Sequence, residues 1–187
     1  MALQRFDEEN GRDPHRVEVD GVSHPRELLY SQWLTRWVLT LAPEASEALQ
    51  LAARCQHLCR WVIPRQSYEM TRVGYLKWRA DLKQFHAQKS GEILGALGYP
   101  SAIIERVQSL NLKKELGRDE ETQTLEDALC LVTLEHQLSD LVAKTEAEKM
   151  VEIIRKTWKK MSPSAREHAL KLTYTAPEQE LIGRALA

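Results

Sequence analysis

The fold is decided by residues 120–142, which have the sequence EETQTLEDALCLVTLEHQLSDLV. Leucine and valine recur in this stretch at the spacing of an α-helix and on more than one of its faces, as at Leu125, Leu129 and Val132. A helix that is apolar on several faces is expected at the centre of a bundle. Other segments also repeat apolar residues at helical spacing, and none alternates apolar and polar residues as a strand does. The sequence therefore predicts an all-α, single-domain bundle of about seven helices, with the helix at 120–142 the most buried.

The composition is that of a folded domain of ordinary size. The chain has 187 residues, of which 43% are hydrophobic and 28% charged, and its formal net charge is -1. The balanced charge argues against non-specific binding of nucleic acid. No apolar run approaches the roughly 18 residues that span a bilayer, so no membrane insertion is expected. Three cysteines and a polar N-terminus predict a reduced, cytoplasmic protein. Its oligomeric state stays open.

The composition of residues 1–22 and a predicted helix start at Ser23 divide the chain into two parts. Residues 1–22 are charged and contain glycine, which predicts a flexible N-terminal lead-in. Residues 23–187 are expected to form the single all-α domain. Ser23 is suited to cap its first helix, because a serine oxygen can accept a backbone N–H of the first turn. A second helix is predicted from Glu44 to Val62.

Three histidines and one carboxylate lie on or beside the apolar stripes of four predicted helices: His24, His57, His86 and Asp127. Histidine and carboxylate side chains that converge from separate helices are how helical bundles build metal sites. Neutral imidazole suits Fe, Zn, Mn or Ni, and a carboxylate adds the charge that holds one divalent metal ion. In the alternative interpretation, an arginine neutralises Asp127 and the histidines are structural. Either way, the pattern predicts that the four side chains converge on one pocket.

A second group of candidates is basic. Arg60, Arg65 and Arg79 bracket an irregular loop, and Lys113 lies at the end of a later short helix. Arginine binds phosphate or carboxylate through paired hydrogen bonds, so these residues are candidates for binding a small anionic, phosphorylated ligand. The aromatic residues that flank the loop are candidates for an apolar wall: Trp61, Tyr68, Tyr75 and Trp78. In the alternative interpretation, this is a solvated face whose cations pair with neighbouring acidic side chains.

Three runs of sequence resemble the domain-of-unknown-function 4202 family: AARCQHLCRWVIPRQSY at 52–68, GYLKWRADLKQFHA at 74–87 and QTLEDALCLVTLEH at 123–136. The resemblance covers about Ser23 to Ala169 and implies an all-helical protein, and it brings no activity with it. The chain departs from the family pattern at Glu69 and Thr71, where proline and glycine are expected. The shape of this loop is therefore expected to differ from that of the family.

The order of the elements also resembles, more distantly, the HD-domain superfamily of metal-dependent phosphohydrolases. In that resemblance His24 opens the first helix, and His57 in AARCQHL takes the place of the histidine–aspartate pair. His86 in FHAQKSGEILGALGY takes the place of a further histidine, and Asp127 in LEDALCL that of a late aspartate. The resemblance therefore implies a metal role for the same four residues.

Two positions depart from the HD-domain pattern. Leu58 follows His57 where the superfamily has aspartate, and Asn111 stands where a histidine is usual. Because ligands are missing, the resemblance implies a site for a single metal ion, or one that has lost its metal, rather than a two-metal centre.

Three functional hypotheses follow. The first is a metal-dependent hydrolase of a phosphorylated small molecule or nucleotide, whose metal-bound water attacks phosphorus. Glu126 or Glu27 would act as general base, and the phosphate would be bound by Arg60, Arg65, Arg79 and Lys113. The second is an iron-dependent oxygenase that uses the same metal ligands. The third is a non-catalytic module that binds an anion or a partner protein through the basic loop.

Overall fold

The computed structural model describes residues 1–187 and confirms an all-α protein with one small β-hairpin. It has ten α-helices rather than about seven. The helices are α1 Ala2–Asn10, α2 Arg26–Leu41, α3 Glu47–Cys55, α4 Arg72–Ala96, α5 Ser101–Leu112, α6 Glu120–His136, α7 Leu138–Ala143, α8 Ala147–Lys160, α9 Pro163–Leu170 and α10 Ala176–Leu186. The hairpin pairs β1 Arg16–Val19 with β2 Val22–Pro25 in antiparallel register. No helix combines the length and the apolar character needed to cross a membrane.

The N-terminal segment is part of the folded domain, so the predicted flexible lead-in at 1–22 is wrong. Ala2 and Phe6 lie four residues apart on one face of α1, and Phe6 is 0% exposed. Both side chains belong to the same hydrophobic core cluster as residues of α10. Asn10 is also buried, at the end of α1. The segment's high charge concealed this short amphipathic helix.

The first long helix begins later than the sequence predicts. Ser23 does not cap it, because Ser23 pairs with Glu18 in the hairpin and α2 starts at Arg26. His24 pairs with Val17 in the same ladder. His24 is thus a strand residue instead of the opening residue of a helix.

The second helix also differs from its prediction, because α3 ends at Cys55 rather than continuing to Val62. The chain then turns, with Cys59 in the left-handed conformation at a φ of 52°, and forms a short 3₁₀ helix at Arg60–Val62. The backbone N–H of Cys59 donates to Oδ1 of the buried Asn10 at 3.1 Å, which ties this turn to α1. His57 is therefore a turn residue, and α1 helps to position it.

The central helix α6 buries nine residues, the largest number of any helix, as its apolar faces predict. The shorter α3 buries a larger fraction, six of its nine residues. The predicted helix over 120–142 is divided at Gln137, whose φ of -123° and ψ of -11° are not helical, and α7 follows. This break matters for the site, because Gln137 lines the main cavity.

Candidate functional site

The main cavity of the protein has a volume of about 430 Å³ and lies where the start of α2 meets the turn after α3 and the loop before α4. Thirteen residues line it, and only four of them are hydrophobic. The charged or titratable residues among them are His15, Arg26, Glu27, His57, Arg60 and Arg65, with Tyr30 beside them. Of the four aromatic residues predicted to form a wall, Trp61 and Trp78 line the cavity, and Tyr68 and Tyr75 do not.

A buried carboxylate and an imidazole face each other in this cavity. Nδ1 of His57 lies 3.3 Å from Oε2 of Glu27, which is 3% exposed. Because a carboxylate only accepts hydrogen bonds, Nδ1 carries the proton of neutral His57 and Nε2 keeps a lone pair. The ring of Tyr30 stacks on His57 at 4.3 Å between centroids, which fixes the plane of the imidazole.

Glu27 and His57 differ in their protonation at neutral pH, as the shifts of their pKa values show. Burial, with a smaller contribution from the charge of Arg60, lowers the pKa of His57 to about 4, although the contact with Glu27 opposes this shift. Burial by itself raises the pKa of Glu27, but the hydrogen bond with His57 and the charges of His57, Arg60 and Arg26 outweigh it and lower the pKa. At neutral pH the pair therefore consists of an ionised Glu27 and a neutral His57.

Three arginines give the cavity a positive excess over its single carboxylate. Nε of Arg26 lies 3.3 Å from Oε1 of Glu27, and Nε of Arg60 lies 4.0 Å from it. The guanidinium of Arg60 stacks over Trp78 at 4.8 Å, which holds it in place. Neither arginine makes a two-bond contact with Glu27 that would use up its donors. The site therefore retains N–H donors for an incoming anion.

Arg65 has a different role. Its terminal nitrogens donate to the backbone carbonyls of Tyr68, Glu69 and Thr71 at 2.7–3.2 Å. The side chain thus organises the loop that contains Glu69 and Thr71, the two positions expected to depart from the family pattern. It lines the cavity as predicted, but most of its donors are already engaged.

Two of the four predicted metal ligands meet. His86 is buried on α4, and its ring centroid lies 5.9 Å from that of His57. Its Nε2 is buried without a hydrogen-bond partner. Burial lowers the pKa of His86 well below its ordinary value, and the charges of His57 and Arg60 add to this effect, so the ring is neutral at neutral pH.

The other two predicted ligands do not join them, so the predicted convergence of four residues is wrong. Oδ1 of Asp127 accepts hydrogen bonds from Nε2 of Gln123 and from the backbone N–H of Ser162, both at 2.9 Å. This carboxylate therefore supports the start of α9, since Ser162 is its N-cap. His24 belongs to the hairpin and does not line the cavity.

A metal ion does not fit the predicted ligand set. No group of three or more His, Cys, Asp or Glu side chains in the structure is arranged to hold one. The carboxylate expected to supply charge to the cation accepts two hydrogen bonds elsewhere. The carboxylate that does lie beside His57 is Glu27, which the sequence analysis named as a general base.

The remaining candidates lie outside the cavity. Glu126 is 4% exposed and pairs with Lys113 and with Lys160, whose Nζ is 3.4 Å from Oε1. Glu126 and Lys113 thus neutralise each other, and neither is free to act as a base or an anion ligand in this arrangement. Arg79 is exposed on α4 and donates to the hydroxyl of Tyr75 at 3.1 Å.

Two basic residues of the cavity were not predicted from the sequence: His15 and Arg26. His15 lies between α1 and the hairpin, in the segment expected to be flexible. Arg26 was not considered as a site residue, and it is the first residue of α2. The spacing Asp13–Pro–His15 was the available signal, because a carboxylate two residues before a histidine can reach the imidazole.

Comparison with known proteins identifies a family for the chain. The family model described as "Domain of unknown function (DUF4202)" matches residues 1–182. The match includes the N-terminal segment and therefore α1 and the hairpin. No curated protein and no solved structure matches the chain.

Proposed function

The chain belongs to the DUF4202 family, and we propose that it binds a phosphorylated small molecule in the arginine-lined cavity and hydrolyses its phosphate ester. The observation that carries the proposal is the pair of a neutral His57 and an ionised Glu27 in a cavity with three arginines. The His57–Glu27 pair supports catalysis, and the three arginines support recognition of an anion.

Charge supports a phosphate ligand. A phosphate that enters the cavity meets Arg26 and Arg60, whose guanidinium groups retain unused donors. Arginine donates parallel hydrogen bonds that match the spacing of phosphate oxygens, and such charge-assisted bonds are about twice as strong as neutral ones. A volume of about 430 Å³ is within the usual range for small-molecule sites.

The chemistry follows from the proton positions. Nε2 of His57 takes a proton from a water molecule while the water oxygen forms a bond to phosphorus and the ester P–O bond breaks. Glu27, beside Nδ1, stabilises the imidazolium that results. The products are inorganic phosphate and an alkoxide, which takes up a proton to become the alcohol. A low pKa weakens His57 as a base, but a bound phosphate dianion favours its protonated form and raises that pKa.

The sequence also suggested a metal-dependent reaction, an iron-dependent oxygenase and a non-catalytic anion-binding module. No feature of the cavity favours oxygen chemistry over phosphate chemistry. The binding module uses the same arginines, so it differs from the hydrolase only in turnover. Measurement of binding and hydrolysis on the same variants separates these possibilities.

The test starts with inorganic phosphate titrated into the full chain by calorimetry. Arg60→Gln is expected to weaken phosphate binding by about 10- to 100-fold, because it removes a charged donor worth about 1.5–3 kcal/mol. The matched control is Arg118→Gln, which removes an exposed arginine that does not line the cavity. Arg60→Lys, which keeps the charge, is expected to retain part of the affinity.

The second arm measures phosphate release from a panel of phosphomonoesters, with a chelator or with added Mn²⁺. Release that persists in chelator and falls in His57→Gln supports the proposal. Equal phosphate affinity in Arg60→Gln and Arg118→Gln would overturn the binding site. Phosphate binding without release from any ester would instead support the non-catalytic module, and release only with Mn²⁺ would support the metal-dependent hydrolase.

A further inference from the structure

A second carboxylate–histidine pair lies at the same cavity, formed by Asp13 and His15. Oδ1 of Asp13 lies 2.9 Å from Nδ1 of His15 and also accepts the backbone N–H of His15 at 2.9 Å. Oδ2 of Asp13 accepts the backbone N–H of Glu27 at 3.0 Å. Asp13 is buried, so one fixed carboxylate positions both His15 and the residue that faces His57.

The position of His15 is fixed at its backbone as well. Its carbonyl oxygen accepts the backbone N–H of Arg26 at 3.0 Å, which joins the segment before β1 to the start of α2. The side chain is 52% exposed, whereas that of His57 is 20% exposed, and both line the cavity. The cavity thus has one imidazole in contact with solvent and one that is mostly enclosed.

The two imidazoles are suited to opposite proton transfers. Because Nδ1 of His15 faces a carboxylate, Nδ1 carries a proton and Nε2 is the nitrogen that exchanges one with the ligand or with solvent. When Nε2 is also protonated, the imidazolium keeps its pairing with Asp13 and its contact with water. His57 is enclosed and neutral, with a lone pair on Nε2. Acid–base catalysis of ester cleavage needs one group of each kind.

We propose that His15, held by Asp13, is the general acid of this cavity. The inference rests on the proposed function, which left open the source of the proton for the departing alcohol. Nε2–H of protonated His15 gives its proton to the ester oxygen as the P–O bond breaks, while His57 takes a proton from the attacking water. One proton enters the products from His15 and one leaves the water for His57. Exchange with solvent then restores both histidines.

Leaving-group dependence tests this role. Phenyl phosphate releases phenol, whose oxygen is basic enough to need a proton, whereas p-nitrophenyl phosphate releases a much weaker base. His15→Gln is expected to lower kcat for phenyl phosphate by about 100-fold, the lower end of the usual contribution of general acid–base catalysis. The same variant is expected to change kcat for p-nitrophenyl phosphate by less than about five-fold, because its departure needs little assistance.

His168→Gln is the matched control, because His168 contacts the ring of Trp37 and does not line the cavity. It is expected to leave both rates unchanged. A melting temperature for each variant excludes loss of folded protein. If His15→Gln lowers both rates equally, or neither, the general-acid role is wrong while the hydrolase stands. If the unaltered chain hydrolyses neither ester but binds phosphate, the proposed hydrolase and the role of His15 fail together.

Discussion

Two carboxylates of this protein are almost equally buried, but their charged partners differ in kind and in position relative to the cavity. Glu126 is 4% exposed and is held by the ammonium groups of Lys113 and Lys160. Glu27 is 3% exposed, and its neighbours are an imidazole at 3.3 Å and the guanidinium nitrogens of Arg26 and Arg60 at 3.3 and 4.0 Å. Both carboxylates have cationic partners, but those of Glu126 lie outside the cavity, whereas those of Glu27 line it and its arginines retain donors for an incoming ligand.

The cause of each pKa shift shows the same difference. Burial by itself raises the pKa of Glu126, and the charges and hydrogen bonds of Lys113 and Lys160 outweigh it and lower the pKa. The pKa of Glu27 is also lowered, but part of that shift depends on His57, which itself titrates. Glu126 with Lys113 and Lys160 (the Glu126 cluster) is therefore a fixed group of charges. Glu27 with His57 (the Glu27 cluster) can take up or release a proton when a ligand binds.

The largest effect is expected from removing the charge of Glu27. In Glu27→Gln the hydrolysis of phosphomonoesters is expected to fall by about 10³-fold, because the imidazolium of His57 loses the carboxylate that stabilises it. Binding of inorganic phosphate is expected to stay or to strengthen, since one negative charge leaves the cavity. Steady-state rates and phosphate calorimetry on the same preparation measure both. Weaker phosphate binding in Glu27→Gln would show that Glu27 serves the ligand site structurally.

The matched substitution in the other cluster should act on stability instead. Glu126→Gln leaves Lys113 without a partner at a mostly buried position, and breaking such a pair costs about 3–5 kcal/mol. The lower end is expected, because Lys160 is half-exposed and regains water. Denaturant unfolding measures the loss. A rate that falls as far as in Glu27→Gln, in protein that remains folded, would instead make Glu126 the general base.

A smaller effect is expected from pH. Folding lowers the pKa of His57 from 6.5 to about 4, so the unfolded chain takes up this proton first as the pH falls. The contribution of His57 to the free energy of unfolding is therefore present above pH 6.5 and is lost as the pH falls from 6.5 towards 4. At pH 5 the loss is on the order of 2 kcal/mol.

Comparison with His57→Gln isolates this contribution, because glutamine does not titrate. The variant is expected to lose less stability than the unaltered chain between pH 7 and pH 5. Adding inorganic phosphate should raise the pKa of His57, which NMR titration of its ring protons detects. Identical pH dependence of unfolding in the two proteins would mean that His57 is not the enclosed neutral group described above.

The smallest effect is expected at Asp127. Asp127→Asn keeps an oxygen that can accept the backbone N–H of Ser162 and loses only the charge of that hydrogen bond. The free energy of unfolding is expected to fall by about 1 kcal/mol, and the affinity for inorganic phosphate should not change. Thermal unfolding and phosphate calorimetry measure the two quantities. A folded variant that loses bound metal or loses hydrolysis would restore Asp127 to the metal site predicted from sequence.

Local patterns predicted the fold class well. The apolar spacing of α6 depends only on 3.6 residues per turn, so the sequence contains it directly. The ends of the helices were harder to predict where local and distant contacts compete for the same residues. Ser23 has the chemistry of a helix cap, but strand pairing with Glu18 takes it into the hairpin. His57 continues a helical pattern, although the backbone turns there and Cys59 bonds to Asn10, 49 residues earlier in the chain.

By itself the sequence determined that the chain forms helices, that His57, His86, Arg60 and Glu27 lie beside apolar stripes or the basic loop, and that Trp61 and Trp78 flank that loop. Only the tertiary structure decided which of these meet. Asp13 reaches Glu27 across 14 residues, and Asp127 reaches Ser162 across 35. Helical spacing fixes the face on which a side chain lies, but the packing of helices fixes what that face meets, because packing depends on the shapes of many side chains at once.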